Sequence, residues 1–200
     1  MSVLPSCIHP KFISLFKETF GFSELEFNQF LSHFELKNLH KKEYYVKPGM
    51  IADFKGYINK GCMRTYSIDP QGHERIILLS FEDWWAGDIT SYYSGQLSSL
   101  YNQAIEDCEL LHISKENFSK LEMEIPKLKQ WYTLKLARRA AQSMKNMGEI
   151  KTLSLKQKYM NLLETNPEIF QRVPLQYIAS YLNVEPQSLS RMRKGLTKES

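Results

Sequence analysis

The 200-residue chain lacks the features that mark several large classes of protein. No apolar run approaches the roughly 18 residues needed to cross a bilayer, which argues against a membrane-spanning helix or a membrane partner. From Met1 to Phe12 there is no charged start followed by an apolar stretch and a small-residue cleavage site, so no secretory signal is expected and the cytoplasm is the expected location. Cysteine is scarce: Cys7, Cys62 and Cys108 lie far apart and make no CxxC pair, too few and too scattered for a disulfide framework or a thiolate metal site. No Ser-His-Asp set, paired carboxylates, metal-spaced ligands or Gly-rich phosphate loop emerges, so neither an enzyme nor a metal site is expected. Lysine and arginine are missing altogether between Arg75 and Lys115.

What is present is the balance of a globular protein with a core: 42% hydrophobic and 12% aromatic residues against 24% charged. The charge is unevenly spread. Residues 1–126 hold 12 Lys+Arg and 17 Asp+Glu, a net of −5, while residues 127–200 hold 14 and 5, a net of +9. Such asymmetry suits a C-terminal third that faces a polyanion, or a lysine-rich helix face that simply meets water.

Apolar residues at helical spacing from Phe12 to Phe34, interrupted at Gly21 and Ser23, predict two short amphipathic helices. From Leu39 to Ile113 the pattern turns to short β-rich runs: Glu43–Val46, Phe54–Ile58, Cys62–Ile68, Arg75–Phe81 and Asn102–Ile113. Turn signals such as Lys47-Pro48-Gly49 and Asp69-Pro70-Gln71-Gly72 separate them. Seven or eight short strands in about 80 residues fit an antiparallel jelly roll. Pro126 is placed to open a long helix to about Lys151. Along it Leu134, Ala137, Ala141, Met144 and Gly148 form a narrow a/d stripe, suited to a second copy of the same helix or to the protein's own domain. Ser154 to Gln157 reads as a capping box that opens the next helix, with Tyr159, Leu162 and Leu163 inward.

Residues 175–196 meet the joint demands of two helices crossing at a tight turn. Ala179 is small where the helices cross, Asn183 tolerates the left-handed region, and Ile178, Leu182, Val184, Leu189 and Met192 fill the angle between them. Pro186 starts the second helix. This predicts a helix-turn-helix whose second helix enters the major groove. With Leu189, Met192 and Leu196 inward, Gln187, Ser190, Arg191 and Lys194 face out. Gln suits adenine and Arg suits guanine, while Arg193 and Lys194 suit phosphates.

Ile178-Ala179-Ser180-Tyr181-Leu182 followed by Leu189-Ser190-Arg191-Met192-Arg193-Lys194 resembles the C-terminal domain of Crp/Fnr-type transcription regulators. The preceding parts follow that family's order over nearly the whole chain. The resemblance implies an α+β protein: a cyclic-nucleotide-binding-like β-roll over 1–125, a dimerisation helix over 126–151 and a helix-turn-helix domain over 152–200. It further implies a homodimer on a roughly palindromic double-stranded DNA site, with RNA polymerase as a partner. Gln187, Ser188, Ser190 and Arg191 match its base-contacting region.

Two departures bear on mechanism. The sequence stops four residues past Leu196, without room for the β-hairpin wing of the family, so phosphate contacts are expected from residues such as Lys145, Lys151, Lys156 and Lys158. In the roll, Gly87-Asp88 matches the opening of a phosphate-binding turn, but the place of its arginine falls at Ser98, followed by Ser99. A buried phosphodiester without a cation is costly, so cyclic AMP is not expected. Nor is an iron–sulfur cluster, which needs about four thiolates, nor haem, since His73 and His112 read as surface or satisfied residues and Cys62 and Cys108 as buried small hydrophobes. An unknown effector has a possible pocket at Trp85, Gly87, Asp88, Ser98, Ser99 and Tyr101, unless these aromatics simply fill the core. The competing reading is a ligand-binding or protein-interaction module of the same fold that has lost contact with DNA.

Overall fold

The computed structural model describes residues 8–199, with the backbone alone at positions 139, 142, 143, 145–152 and 196–199. Cys7 lies outside the described residues, as do the surroundings of Lys145, Gly148, Lys151 and Leu196.

The two expected N-terminal helices are present. Pro10 opens α1 (Pro10–Ser14), which runs on through a π-helical turn over Leu15–Thr19. Ser23 caps α2 (Glu24–Leu31) reciprocally, its hydroxyl accepting from the Glu26 amide while the Glu26 carboxylate accepts from the Ser23 amide. Eight strands follow among the described residues: β1 (Glu35–Leu39), β2 (Tyr44–Val46), β3 (Phe54–Lys60), β4 (Met63–Ile68), β5 (Glu74–Ser80), β6 (Trp85–Ala86), β7 (Tyr101–Ala104) and β8 (Cys108–Ser114). They form two antiparallel sheets of order β1-β8-β3-β6 and β2-β7-β4-β5.

The run Asn102–Ile113, expected as one strand, is two. The chain leaves one sheet after Ala104 and enters the other at Cys108, with the Ile105 amide held by the Cys62 carbonyl at 2.8 Å. The helix α3 (Ile89–Ser94) follows Gly87-Asp88, where the resemblance places a phosphate-facing helix start, whereas the sequence reading missed β1, the two-residue β6 and the helix α4 (Lys115–Glu124). Each is too short or too weakly periodic to announce itself locally. The helices that follow are α5 (Pro126–Thr152), α6 (Leu155–Thr165), α7 (Ile169–Arg172), α8 (Leu175–Tyr181) and α9 (Pro186–Glu199). The Ser154 capping box forms as its sequence requires.

Strand alternation sorts the core into layers. On β8, Cys108 and Leu110 point into the roll, where they join Val46, Ile58 and Met63; Leu111 and Ile113 point the other way. That outer face is covered by α1, α2, α4 and α5 through Phe12, Phe16, Phe30, Phe34, Phe118 and Leu128, all nearly inaccessible. The first turns of α5 therefore bury Leu128 and Tyr132, a face the sequence reading had not separated from the a/d stripe. Within the roll, Tyr45 lies over Gly56: a Cβ there would sit 2.9 Å from the Tyr45 hydroxyl, so only glycine leaves room for that ring. The Tyr45 hydroxyl pairs with His112 Nδ1 at 2.8 Å, and burial keeps the imidazole's pKa below the usual value. Burial likewise pushes the Cys108 thiol up to about 12 and raises that of Cys62, as befits inert cysteines.

The outer face of the second sheet carries the C-terminal helices. Tyr66, Ile76 and Leu79 share a core with Leu162, Ile169, Ile178 and Leu189. Polar contacts fix the register. Ser180 Oγ accepts from the Ile76 amide at 3.1 Å and donates to the Glu74 carbonyl at 3.1 Å, so α8 satisfies part of the β5 edge. Arg64 lies between the rings of Tyr66 and Tyr177, 4.2 and 4.0 Å from their centroids, and pairs with Glu74 and Gln103. Arg172 spans Glu82, at 2.7 and 3.0 Å, and Glu106. Burial alone would raise Glu82, but the hydrogen bonds from Arg172 and the Gly61 amide prevail and hold it below the usual carboxylate range.

Replacing Arg172 with Ala leaves two half-buried carboxylates facing each other, and chemical denaturation at pH 7 is expected to show a loss of about 2 kcal/mol. Since the folded state favours ionised Glu82, this stability is present above the ordinary carboxylate pKa and fades as the pH falls through the lowered one. The gap between wild type and variant should therefore narrow as the pH is lowered past the ordinary glutamate value of 4.5.

Candidate nucleic-acid interface

The turn between α8 and α9 is built as its residues demand. Asn183 adopts φ 55°, the left-handed conformation expected of it. The Val184 amide reaches back to the Ala179 carbonyl at 2.9 Å, and the Glu185 carbonyl accepts from Ser188 and Leu189 to begin the helix that Pro186 opens. Ala179 and Leu189 are fully buried where the two helices meet, and Ile178 and Leu182 close the angle.

The outer face of α9 is open. Gln187, Arg191 and Lys194 are exposed, spaced so that they share one side of the helix. Ser188 and Ser190 are half-buried at its margins. Arg193 turns the other way: its guanidinium lies 4.6 Å from the centroid of the Phe170 ring on α7, so it braces the domain rather than joining the outward row. No acidic residue lies on α9 before Glu199. Lys156 is exposed and Lys158 half-buried on α6. On α5, Leu134 is 53% and Met144 74% exposed, and Ala137 and Ala141 are exposed as well. The described part of the a/d stripe therefore does not pack on its own domain.

The six residues read as an effector pocket are dispersed. Asp88 and Ser98 meet: Asp88 Oδ1 accepts from the Thr90 and Ser91 amides at 2.9 and 3.2 Å, and its Oδ2 accepts from Ser98 Oγ at 2.7 Å. The first free amides of α3 are thus capped by the protein's own carboxylate, which is itself buried. Gly87, at φ 127°, makes the bend that precedes it. Ser99 is exposed. Trp85 packs beneath the helices with Tyr57, Phe118 and Tyr132, whereas Tyr101 stacks on Tyr66 on the side of the C-terminal helices, with centroids 4.8 Å apart. The two aromatics belong to different sheets and face opposite outer layers, which linear proximity to Gly87 could not disclose.

Sequence reasoning missed the residues that join the two units. Arg64, Arg172 and Ser180 read locally as surface polar residues; their partners lie 10 to 106 positions away, out of reach of any local pattern. Beside Arg172 an open cleft of about 450 Å³ is bordered by Lys41, Lys60 and Asp107. Among the described residues no group of three His, Cys, Asp or Glu side chains is arranged to hold a metal ion, and no helix is long and apolar enough to cross a membrane.

Residues 36–124 match the cyclic nucleotide-binding domain family. Over most of its length the chain is similar to proteins described as cAMP-activated global transcriptional regulator CRP. That of Pasteurella multocida is 24% identical over 84% of this chain and 85% of the relative, and that of Escherichia coli O157:H7 24% identical over 86% of each. Among solved structures, FixK2 from Bradyrhizobium japonicum superposes with a TM-score of 0.71 at 15% identity, covering 83% of this chain and 85% of the other. The c-di-GMP responsive regulator CLP of Xanthomonas campestris gives 0.66 at 15% identity, covering 86% and 91%; likenesses this remote speak for the fold alone. With a match to the cyclic nucleotide-binding domain family at 36–124, a long helix behind it and a helix-turn-helix at its end, the chain is similar in the order of its parts to the Crp/Fnr-type regulators.

Proposed function

We propose that this protein regulates transcription as a homodimer that reads a roughly palindromic DNA site with α9. The observation that carries the reading is the open row of Gln187, Arg191 and Lys194 on a helix whose opposite side is locked by fully buried Leu189. Gln187 and Arg191 are assigned to base edges, Arg191 as the guanine reader. Lys194 is assigned to phosphate, which positions the protein without reading sequence. The net charge of +9 over residues 127–200 supplies long-range attraction to the duplex. The relatives' description as transcriptional regulators supports a role at RNA polymerase.

With a site selected from random-sequence DNA, Arg191→Ala is expected to weaken binding by about 10- to 100-fold, the worth of one bidentate contact, and to relax the choice of base at one position in each half-site. Fluorescence anisotropy against salt checks both, and an Arg191→Ala protein that binds as tightly as wild type would remove the reading.

The exposed stripe of Leu134, Ala137, Ala141 and Met144 is assigned to the partner subunit, because a row of apolar and small side chains on a long helix gains little by facing water. Leu134→Glu should convert the dimer to a monomer in sedimentation velocity while leaving the circular dichroism spectrum of the fold unchanged.

We further infer that a cyclic nucleotide is not the effector. The residues present do not fit a cyclic phosphate: Asp88 already occupies the α3 amides, and Ser98 offers a hydroxyl where a cation is needed. A ligand present at a hundred times its Kd would add about 2.7 kcal/mol of stability. Millimolar cyclic AMP or cyclic GMP is expected to leave the Tm unmoved, and a clear rise would overturn this inference.

A further inference from the structure

One strand of the roll carries a lysine where an apolar residue would be expected. Lys55 lies on the face of β3 that also bears Tyr57, opposite Ile113 of β8, and is 4% exposed. Its Nζ has no hydrogen-bond partner. Four rings surround it instead, with centroids at 3.2 Å (Phe118), 3.8 Å (Tyr132), 4.5 Å (Tyr92) and 5.7 Å (Trp85). Those rings belong to α4, α5, α3 and β6. The cage therefore joins the helix capped by Asp88 to the base of the long helix whose exposed stripe is assigned to the partner subunit.

The energetics of such a cage are poised. An ammonium moved here loses its water, at a cost of several kcal/mol. Ring faces return up to about 2 kcal/mol each when desolvated, and no carboxylate or carbonyl completes the set. Burial brings the Lys55 amine down to about 6, while the Glu122 carboxylate on α4 pulls the other way. The remaining polar neighbours do not neutralise it. Lys115, at the start of α4, donates to the Tyr92 carbonyl, and the α3 phenols of Tyr92 and Tyr93 are held protonated by burial. Tyr132 of α5 contributes its ring face and Trp85 of β6 its indole.

We propose that the effector sensed by the roll is the proton, taken up at Lys55: the uncharged amine seats in the four-ring cage and holds the base of α5 against the roll, and protonation disfavours that closed junction. The inference deepens the regulator reading by naming its effector. When the junction opens, Lys55 meets water and regains the ordinary lysine value of 10.5. Between about 6 and that value, only the open state carries the proton. The closed-to-open ratio then rises tenfold with each pH unit, falls on acidification and levels off below about 6.

The test uses the full-length protein. In an NMR titration of lysine-labelled wild type, with the Lys55 signal identified by its loss in Lys55→Met, the expected midpoint lies below the ordinary value of 10.5, between it and about 6, at the pH where closed and open junctions exchange; a midpoint in the ordinary lysine range overturns the proposal. Hydrogen exchange at residues 126–134, corrected for intrinsic rates, supplies the second readout. Protection in wild type relative to Lys55→Met is expected to climb about tenfold per unit from pH 6.5 to 8.5, and parallel curves for the two proteins overturn it. Should Lys55→Met fail to fold, the wild-type midpoint still decides, the signal being assigned through its contacts to the Phe118 and Tyr132 rings. Neither readout involves DNA, so loss of the DNA-reading role would show in Arg191→Ala binding without altering them.

Discussion

Both sheets of this roll are covered on both faces, and most of the molecule's particular chemistry follows from that constraint. A two-sheet roll standing alone needs one apolar side per strand and can leave the other to water. Here α1, α2, α4 and α5 cover one outer face and α6 to α9 the other, so many outward residues are enclosed like the inward ones. Apolar outward residues such as Leu111 and Ile113 simply extend the core. Polar ones need specific partners: Arg64 finds Glu74, Gln103 and two aromatic rings, and Lys55 finds only rings. The difference separates an ion pair that contributes to docking from an amine whose charge state is in contention.

The same enclosure ties the DNA reader to the roll. Ser180 completes hydrogen bonds of the β5 edge, Arg172 draws together two loops of the roll, and Ile76 and Leu79 share a core with Ile178 and Leu189. The contacts employ the first helix of the helix-turn-helix and the helices before it, leaving the outer side of α9 clear. An apolar interface of this kind, pinned by a few directional hydrogen bonds, favours discrete arrangements over continuous sliding. Conditions that alter the roll therefore have a physical route to the placement of α9.

Much of this architecture is legible in the residues. Ser154 and Gln157 specify a helix start, Asn183 and Pro186 the helix-turn-helix corner, and alternation across Phe54–Ile58 and Cys62–Ile68 two strands, because each of these rests on interactions within a few residues. The exposed row of Gln187, Arg191 and Lys194 follows from the same local periodicity. Arg193 escapes it, since the ring it lies against belongs to another helix. The expected pocket fails for a related reason. Gly87, Asp88 and Ser98 are close in sequence and in space, but Trp85 and Tyr101 sit on strands of different sheets and point into different layers.

Asp88 shows how far a residue pattern goes. Its place before α3 identifies an anion-favouring helix start, and the missing arginine at Ser98 speaks against a phosphate; that the carboxylate itself takes the amides depends on Ser98 being folded back within 2.7 Å. The amino-acid order alone determined the succession of roll, long helix and reader, because turn chemistry, caps and periodicity are local. Which outward side chains lose their water, and so whether Lys55, Arg64 and Arg172 face solvent or the interior, was decided only by the tertiary structure, because desolvation depends on what packs above a strand and no strand encodes its own cover.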